Sequence, residues 1–298
     1  MRKIFAFILY YLFYFKIRKE IKQNDTILSI YGHDTTASSF EKLILWLQKK
    51  EYNFISSNDL YLYLKGGSLI HKRNVWITFD DGWKSNYDGI LPLLEKYKIP
   101  VTFFIATKGV EDGYFWFNQS KENRKSIYYK NIQELWEMPD INRKKIISKL
   151  PPYSGKRVVM NKTELHNLSQ STYVTIANHT DDHVMSDNCT KQELEQEIKI
   201  CENKIKNWSG INCAKIYSYP NGNKDKKSEH LIKQLGYKMA ATTKMGRIYE
   251  SDNPYNLCRC EFKNNASWRE NILQIYGIWT PFFFKIKKII GINNIDEK

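Results

Sequence analysis

This 298-residue chain lacks a disulfide framework, a membrane-spanning apolar run and a recognisable nucleic-acid-binding module. Its five cysteines are Cys189, Cys201, Cys213, Cys258 and Cys260. Their odd number and the lack of paired close motifs exclude a disulfide scaffold. Cys258 and Cys260 are separated by one residue, which is neither a zinc-ribbon nor a thioredoxin spacing. Reduced, buried thiols in a cytosolic protein are the simplest account. The longest apolar stretch, Ile4–Phe15 (IFAFILYYLFYF), is too short to span a bilayer. As a helix it reaches about 18 Å, against about 30 Å of hydrocarbon. No small-residue cleavage site follows it.

Basic residues exceed acidic ones, 46 to 32, for a formal net charge of +14. Such an excess suits anionic membranes, anionic glycans or nucleic acid, or simply a basic, solvated surface. The lysines are scattered rather than gathered on one element, so no nucleic-acid partner is expected. No protein partner is expected either. Arg2, Lys3, Lys16, Arg18 and Lys19 flank the aromatic N-terminal run. That pattern fits an interfacial anchor, with a short signal anchor or a packed first helix as alternatives. The carboxyl end is similar: Trp279, Pro281, Phe282, Phe283 and Phe284 precede Lys285, Lys287 and Lys288. The expectation is that both tails touch an anionic membrane surface. The favoured location is then the cytoplasmic face of a membrane, with secretion or signal-anchoring as alternatives.

Two short motifs carry the chemistry. Val75–Gly82 reads VWITFDDG: a run fit for a strand covered on both faces, ending in Asp80 and Asp81. Adjacent strand residues point to opposite sides. Both carboxylates reach one cleft only if the backbone turns at Asp81, and Gly82 makes such a turn easy. Ala177–His183 reads ANHTDDH and offers His179 and His183 four residues apart. They share a face if the segment forms a helical turn or compact loop. Alone, the first motif is equally an ordinary strand-to-loop turn and the second a pair of surface histidines. Together they supply one Asp and two His for a facial metal site, with a second Asp free as a base. Asp181 and Asp182 are either further ligands or solvent-facing.

The pairing resembles the polysaccharide deacetylase family, the NodB-homology or carbohydrate esterase 4 family. The resemblance implies that Asp80 is the catalytic base and that Asp81, His179 and His183 bind one divalent metal. Zinc is the first choice, with cobalt, nickel or iron also suited to Asp/His/His. It implies an α/β fold, a distorted (β/α)7 barrel of NodB-homology type. Tyr217–Gly222 (YSYPNG) is similar to a variant of the third motif, with Ser218 where an Arg is common. Arg259, from a later strand, is the candidate to hold Asp80 in its place. The backbone around Tyr219 is the candidate donor to a developing oxyanion. The late His that serves as general acid in many relatives is not apparent. His33, at the end of the first strand, is the candidate substitute. The implied activity is removal of an N-acetyl group from an amino sugar in a polysaccharide, oligosaccharide or lipid-linked glycan. Rival readings are a carbohydrate O-acetyl esterase and a catalytically weak, membrane-associated glycan-binding protein.

The rest of the chain reads as strand–helix alternation. An apolar and basic segment, 1–20, precedes one barrel domain over 26–275, which carries a helical insertion at about 111–171. A basic aromatic tail follows over 276–298. Strands are expected at Thr26–Tyr31, Asn53–Ile55, Val101–Ala106, Val174–Ala177, Ile216–Tyr219 and Lys238–Thr242. Capping boxes are read at Ser38/Glu41 and Thr190/Glu193, and Ser228 is read as a further helix cap.

Overall fold

A computed structural model describes residues 2–22, 25–68, 71–126 and 132–283. Nine strands form one sheet: β1 (Ile27–Gly32), β2 (Asn53–Phe54), β3 (Asn74–Asp81), β4 (Val101–Ile105), β5 (Val174–Asn178), β6 (Ala214–Ser218), β7 (Met239–Ala241), β8 (Arg247–Ile248) and β9 (Cys260–Glu261). The main path runs β7-β6-β5-β4-β3-β1-β8, with β2 paired to β3 and β9 to β1. From β1 to β7 the pairs along this path are parallel. Short strands alternate with helices such as Ala37–Lys49, Leu91–Tyr97, Lys191–Ser209 and Lys226–Gln234. The result is an α/β fold whose sheet curls into an open seven-stranded half-barrel flanked by helices, as in a distorted (β/α)7 barrel. The stretch from Leu257 to Glu261 spans the gap: Leu257 bridges Ala241 of β7, and β9 lies beside β1.

The two sides of β3 show why the strand is apolar throughout. Val75, Ile77 and Phe79 pack with Phe40, Leu43 and Leu47 of the first barrel helix. Trp76 points the other way, into a second core with Ile27, Phe104, Met239 and Leu257 inside the curl. Alternation then places Thr78 and Asp80 above Trp76 on that inner side. Parallel pairing brings the carboxyl ends of β1, β3, β5 and β6 to one rim, and this is where α/β barrels carry chemistry.

Helix starts depart from the sequence reading in two places. Thr36, not Ser38, caps Ala37–Lys49, accepting from the Ser39 N–H. Asp225, not Ser228, caps Lys226–Gln234, and Ser228 completes the box from the third helical position. In both cases the cap is the last residue with extended backbone, which places its oxygen over the first turn. The Thr190/Glu193 box is present as read.

The membrane-face placement is corrected. Among the described residues no helix is long and apolar enough to cross a membrane. The N-terminal run forms two helices, Arg2–Leu12 and Tyr14–Ile21. They bury Ala6, Leu9 and Ile17 in the main core. Phe5 packs on Trp279, Phe282 and Phe283, and Arg2 pairs with the buried Glu270. Part of the run is thus packed inside the protein, while Ile4, Phe7, Ile8, Tyr11, Leu12, Tyr14 and Phe15 stay exposed. The tail residues from Phe284 onward lie outside the described residues.

All five thiols are free, and Cys201, Cys213 and Cys260 are buried. Burial pushes the Cys201 and Cys213 thiols well up and Cys260 to about 11. Alkylation of native protein at mildly basic pH should therefore spare these three, because the thiolate is the nucleophile. Intact-mass analysis should show at most Cys189 and Cys258 labelled before denaturation and all five after it.

Candidate active site

Asp80 and Asp81 end β3, and the backbone does turn between them. Asp81 has φ +77° and Gly82 φ +99°. The Gly82 N–H closes onto the Asp80 carbonyl at 3.0 Å. A left-handed Asp is strained relative to ordinary strand backbone, by about 1–3 kcal/mol. Its effect is to swing the second carboxylate toward the rim rather than into the outer core.

Asp81 meets both imidazoles there. Its Oδ1 lies 3.3 Å from His179 Nε2 and 3.3 Å from His183 Nε2. One ligand atom from each of the three residues falls within 4.8 Å of the others, and all three residues are buried. Asp81 Oδ2 accepts from Trp83 Nε1 at 2.8 Å. His179 Nδ1 is 2.8 Å from the Ser218 carbonyl. A carbonyl accepts only, so Nδ1 carries the proton and the Nε2 lone pair faces Asp81.

The donor set fits a divalent cation. Asp81 Oδ1 is buried without a hydrogen-bond donor, although two imidazole nitrogens surround it. Burial would raise the Asp81 carboxyl, but the two imidazoles outweigh it and hold it well below the ordinary carboxylate range. Burial in turn pushes His183 below the ordinary imidazole value, despite Asp81. An ionised carboxylate beside a neutral imidazole is the protonation state that metal ligation requires.

Asp80 is held differently. Arg259 Nη1 and Nη2 donate to its two oxygens, each at 2.7 Å. Ser218 Oγ donates to Asp80 Oδ2 at 3.2 Å and accepts from Arg259 Nη2 at 2.8 Å. Thr78 Oγ1 and the Thr242 carbonyl take the remaining guanidinium donors at 2.8 and 3.0 Å. Thus every N–H of a fully buried guanidinium has an acceptor, and the group lies over the Tyr31 and Phe104 rings. Burial would raise the Asp80 carboxyl; Arg259 reverses this, and it sits below its ordinary value.

His33 is half-buried at the end of β1, and its charge lowers both Asp80 and Asp81. Its carbonyl accepts from Asn86 Nδ2 at 2.9 Å. Tyr219 lies just beyond β6. Its own N–H is committed to the Ala241 carbonyl at 3.0 Å, a β6–β7 sheet bond, and its side chain is buried. Asp181 and Asp182 are neither ligands nor solvent-facing. Asp181 accepts from Thr107 Oγ1 at 2.6 Å and Lys204 Nζ at 2.9 Å, and Asp182 from Arg143 Nη2 at 2.9 Å.

Sequence reasoning missed Trp83 and the aromatic wall around His183. Phe117 and Trp136 stand 5.5 and 5.7 Å from the His183 ring. Trp83 could have been found from its place two residues after Asp81. Nothing in the spacing of Phe117 or Trp136 points to His183.

A carboxylate–diimidazole cluster beside a second, cation-held carboxylate, on the rim of a half-barrel, is a site suited to metal-assisted hydrolysis. Residues 70–240 match the family model described as polysaccharide deacetylase. The chain belongs to the polysaccharide deacetylase family, and its activity is that of a hydrolytic deacetylase. It is 25% identical over 257 residues to poly-beta-1,6-N-acetyl-D-glucosamine N-deacetylase of Staphylococcus aureus, covering 86% of this chain and 74% of that protein. In fold it is similar to IcaB from Ammonifex degensii, with TM-score 0.63 and 17% identity over 86% of this chain and 97% of that one. It is also similar to the Streptococcus pyogenes deacetylase PplD in complex with acetate, with TM-score 0.61 and 19% identity over 84% and 97%.

Proposed function

We propose that this protein is a metal-dependent N-deacetylase that hydrolyses the N-acetyl group of an amino sugar within a glycan. The observation that carries the reading is the division of labour between two adjacent carboxylates. Asp81 joins His179 and His183 around one cation-sized gap, while Asp80 is kept ionised and oriented by Arg259. Asp81, His179 and His183 would hold the ion, zinc by first choice. A divalent ion there supplies a Lewis acid for the acetyl carbonyl and lowers the pKa of water.

Asp80 takes the proton from the attacking water. Arg259 and Ser218 fix its plane, so its free lone pairs face one direction. His33 is our candidate to return a proton to the leaving amine, a reading supported by its half-buried position, while His71, His166 and His230 are exposed. Trp83, Phe117 and Trp136 are half-buried around the cluster and suit contact with an acetyl methyl or the apolar face of a sugar ring. The named activity of the Staphylococcus aureus relatives supports a beta-linked N-acetylglucosamine polymer as the first substrate to try.

The test is incubation of zinc-loaded protein with oligomers of beta-1,6-linked N-acetylglucosamine. Acetate and new primary amine should appear in equal amounts. Acetate released only from O-acetylated sugars, with no amine, would replace this reading by an esterase. No acetate from any acetylated sugar by protein that binds one metal would end it.

A further inference from the structure

The two histidines of the cluster are supported unequally. His179 is fixed through Nδ1 by the Ser218 carbonyl. His183 Nδ1 is buried and has no hydrogen-bond partner among the described protein atoms. Metal-bound imidazoles ordinarily donate their second N–H to a carboxylate or carbonyl, and that bond sets the ring's direction. His183 also sits in left-handed backbone, φ +48°, and Thr180 before it has φ +67°. Something else must hold this loop in its unusual shape.

The insertion does so. Trp116, in the helix Trp116–Glu122, donates its Nε1–H to the carbonyl of His183 at 3.4 Å. Arg143, in the helix Asp140–Ile147, lies 4.5 Å from the centre of the Trp116 ring. Its Nη2 donates to Asp182, the neighbour of His183, at 2.9 Å. Its Nε donates to Asp140 at 2.9 Å, and both Arg143 and Asp140 are buried. The Asp182 N–H is taken by Glu197 of the helix Lys191–Ser209 at 2.8 Å, and Lys144 grips Glu197 at 2.6 Å. Phe117 and Trp136 of the insertion flank the imidazole itself.

We propose that Arg143, Trp116 and Asp182 are positioning residues: they clamp the insertion onto the His loop and set the direction of His183 in place of a second-nitrogen hydrogen bond. The inference rests on the reading of Asp81, His179 and His183 as ligands. It assigns the insertion a task at the metal site. Buried ion pairs of this kind are poor stabilisers but good at fixing one arrangement.

Arg143→Met would leave Asp182 without its ion-pair partner and Asp140 with Lys144 alone, and it is a poor test, since it risks unfolding. Asp182→Asn keeps the size and removes the charge that pairs with Arg143. Trp116→Phe keeps a ring under Arg143 and removes the bond to the His183 carbonyl. Arg143→Lys is the conservative variant. Zinc and cobalt affinities are measured by chelator competition, together with the visible absorption of the cobalt-loaded proteins. Asp182→Asn and Trp116→Phe should bind both ions about 10–100-fold more weakly, the size of effect seen for outer-shell partners. Their cobalt spectra should change in shape, and Arg143→Lys should fall between them and the parent. Affinities within twofold of the parent with unchanged cobalt spectra would overturn the inference, whatever happens to the melting point of the metal-free proteins. Failure of the unmodified protein to bind zinc or cobalt would instead remove the ligand assignment on which it stands.

Discussion

Arg259→Met is expected to destabilise the metal-free protein by about 3–5 kcal/mol, the usual cost of stripping one partner from a buried ion pair. That is a large share of the about 5–15 kcal/mol by which domains are stable. The reason is local. Asp80, Ser218, Thr78 and the Thr242 carbonyl all face the guanidinium, and among the described residues no other Lys or Arg is paired with Asp80. The deficit should also depend on pH with a definite sign. In the parent, Asp80 titrates lower in the fold than in the unfolded chain. The stabilisation from its pairing is present above about pH 3.9 and is lost as pH falls through the lower folded value. In the variant, burial is opposed only by His179 and His33, and the folded Asp80 is expected to rise above its unfolded value. Its cost is then relieved as pH falls through that raised value. Urea unfolding at pH 7 and pH 5 should show the gap between variant and parent narrowing at pH 5. An equal gap at both would show that the charge on Asp80 is not what Arg259 supports.

The second large effect is on turnover. Asp80→Asn should lower kcat by about 10²–10⁴, the range for loss of a positioned general base. Metal stoichiometry should stay at the parent value, because Asp81, His179 and His183 are untouched. This separates base from ligand. Loss of the ion along with activity would make Asp80 a ligand and reverse the two assignments. Asp81→Asn should give the opposite pattern, with loss of metal first and loss of activity as its consequence.

What could be read in the sequence was what local pattern controls. The run Val75–Phe79 announced a doubly covered strand, and Asp-Asp-Gly required a turn if both acids were to share a cleft; Asp81 and Gly82 make that turn. The two histidines were legible by spacing and their strand. Arg259 was reached by asking what replaces a missing cation beside Asp80, and its bidentate pairing answers that question. Features set by tertiary contact were hidden. The Tyr219 N–H is consumed by a neighbouring strand that its own motif does not reveal. The packing of Phe5 on Trp279, Phe282 and Phe283 and the pairing of Arg2 with Glu270 were hidden because the partners lie more than 250 residues away in sequence. The ion pairs of Asp181 and Asp182 likewise come from Lys204 and Arg143, whose helices carry no local sign of where they dock.

The stretch from Leu257 to Glu261 that spans the gap in the curled sheet also has a temporal consequence. Asp80 and Arg259 are 179 positions apart. A ribosome delivers the acid long before its counter-ion, at about 5–20 residues per second. Until the later segment emerges, a nascent chain that had already folded β3 to β7 would hold Asp80 without the guanidinium that orients it. Chemical competence therefore arrives late in synthesis, as the last seam of the ring is laid in.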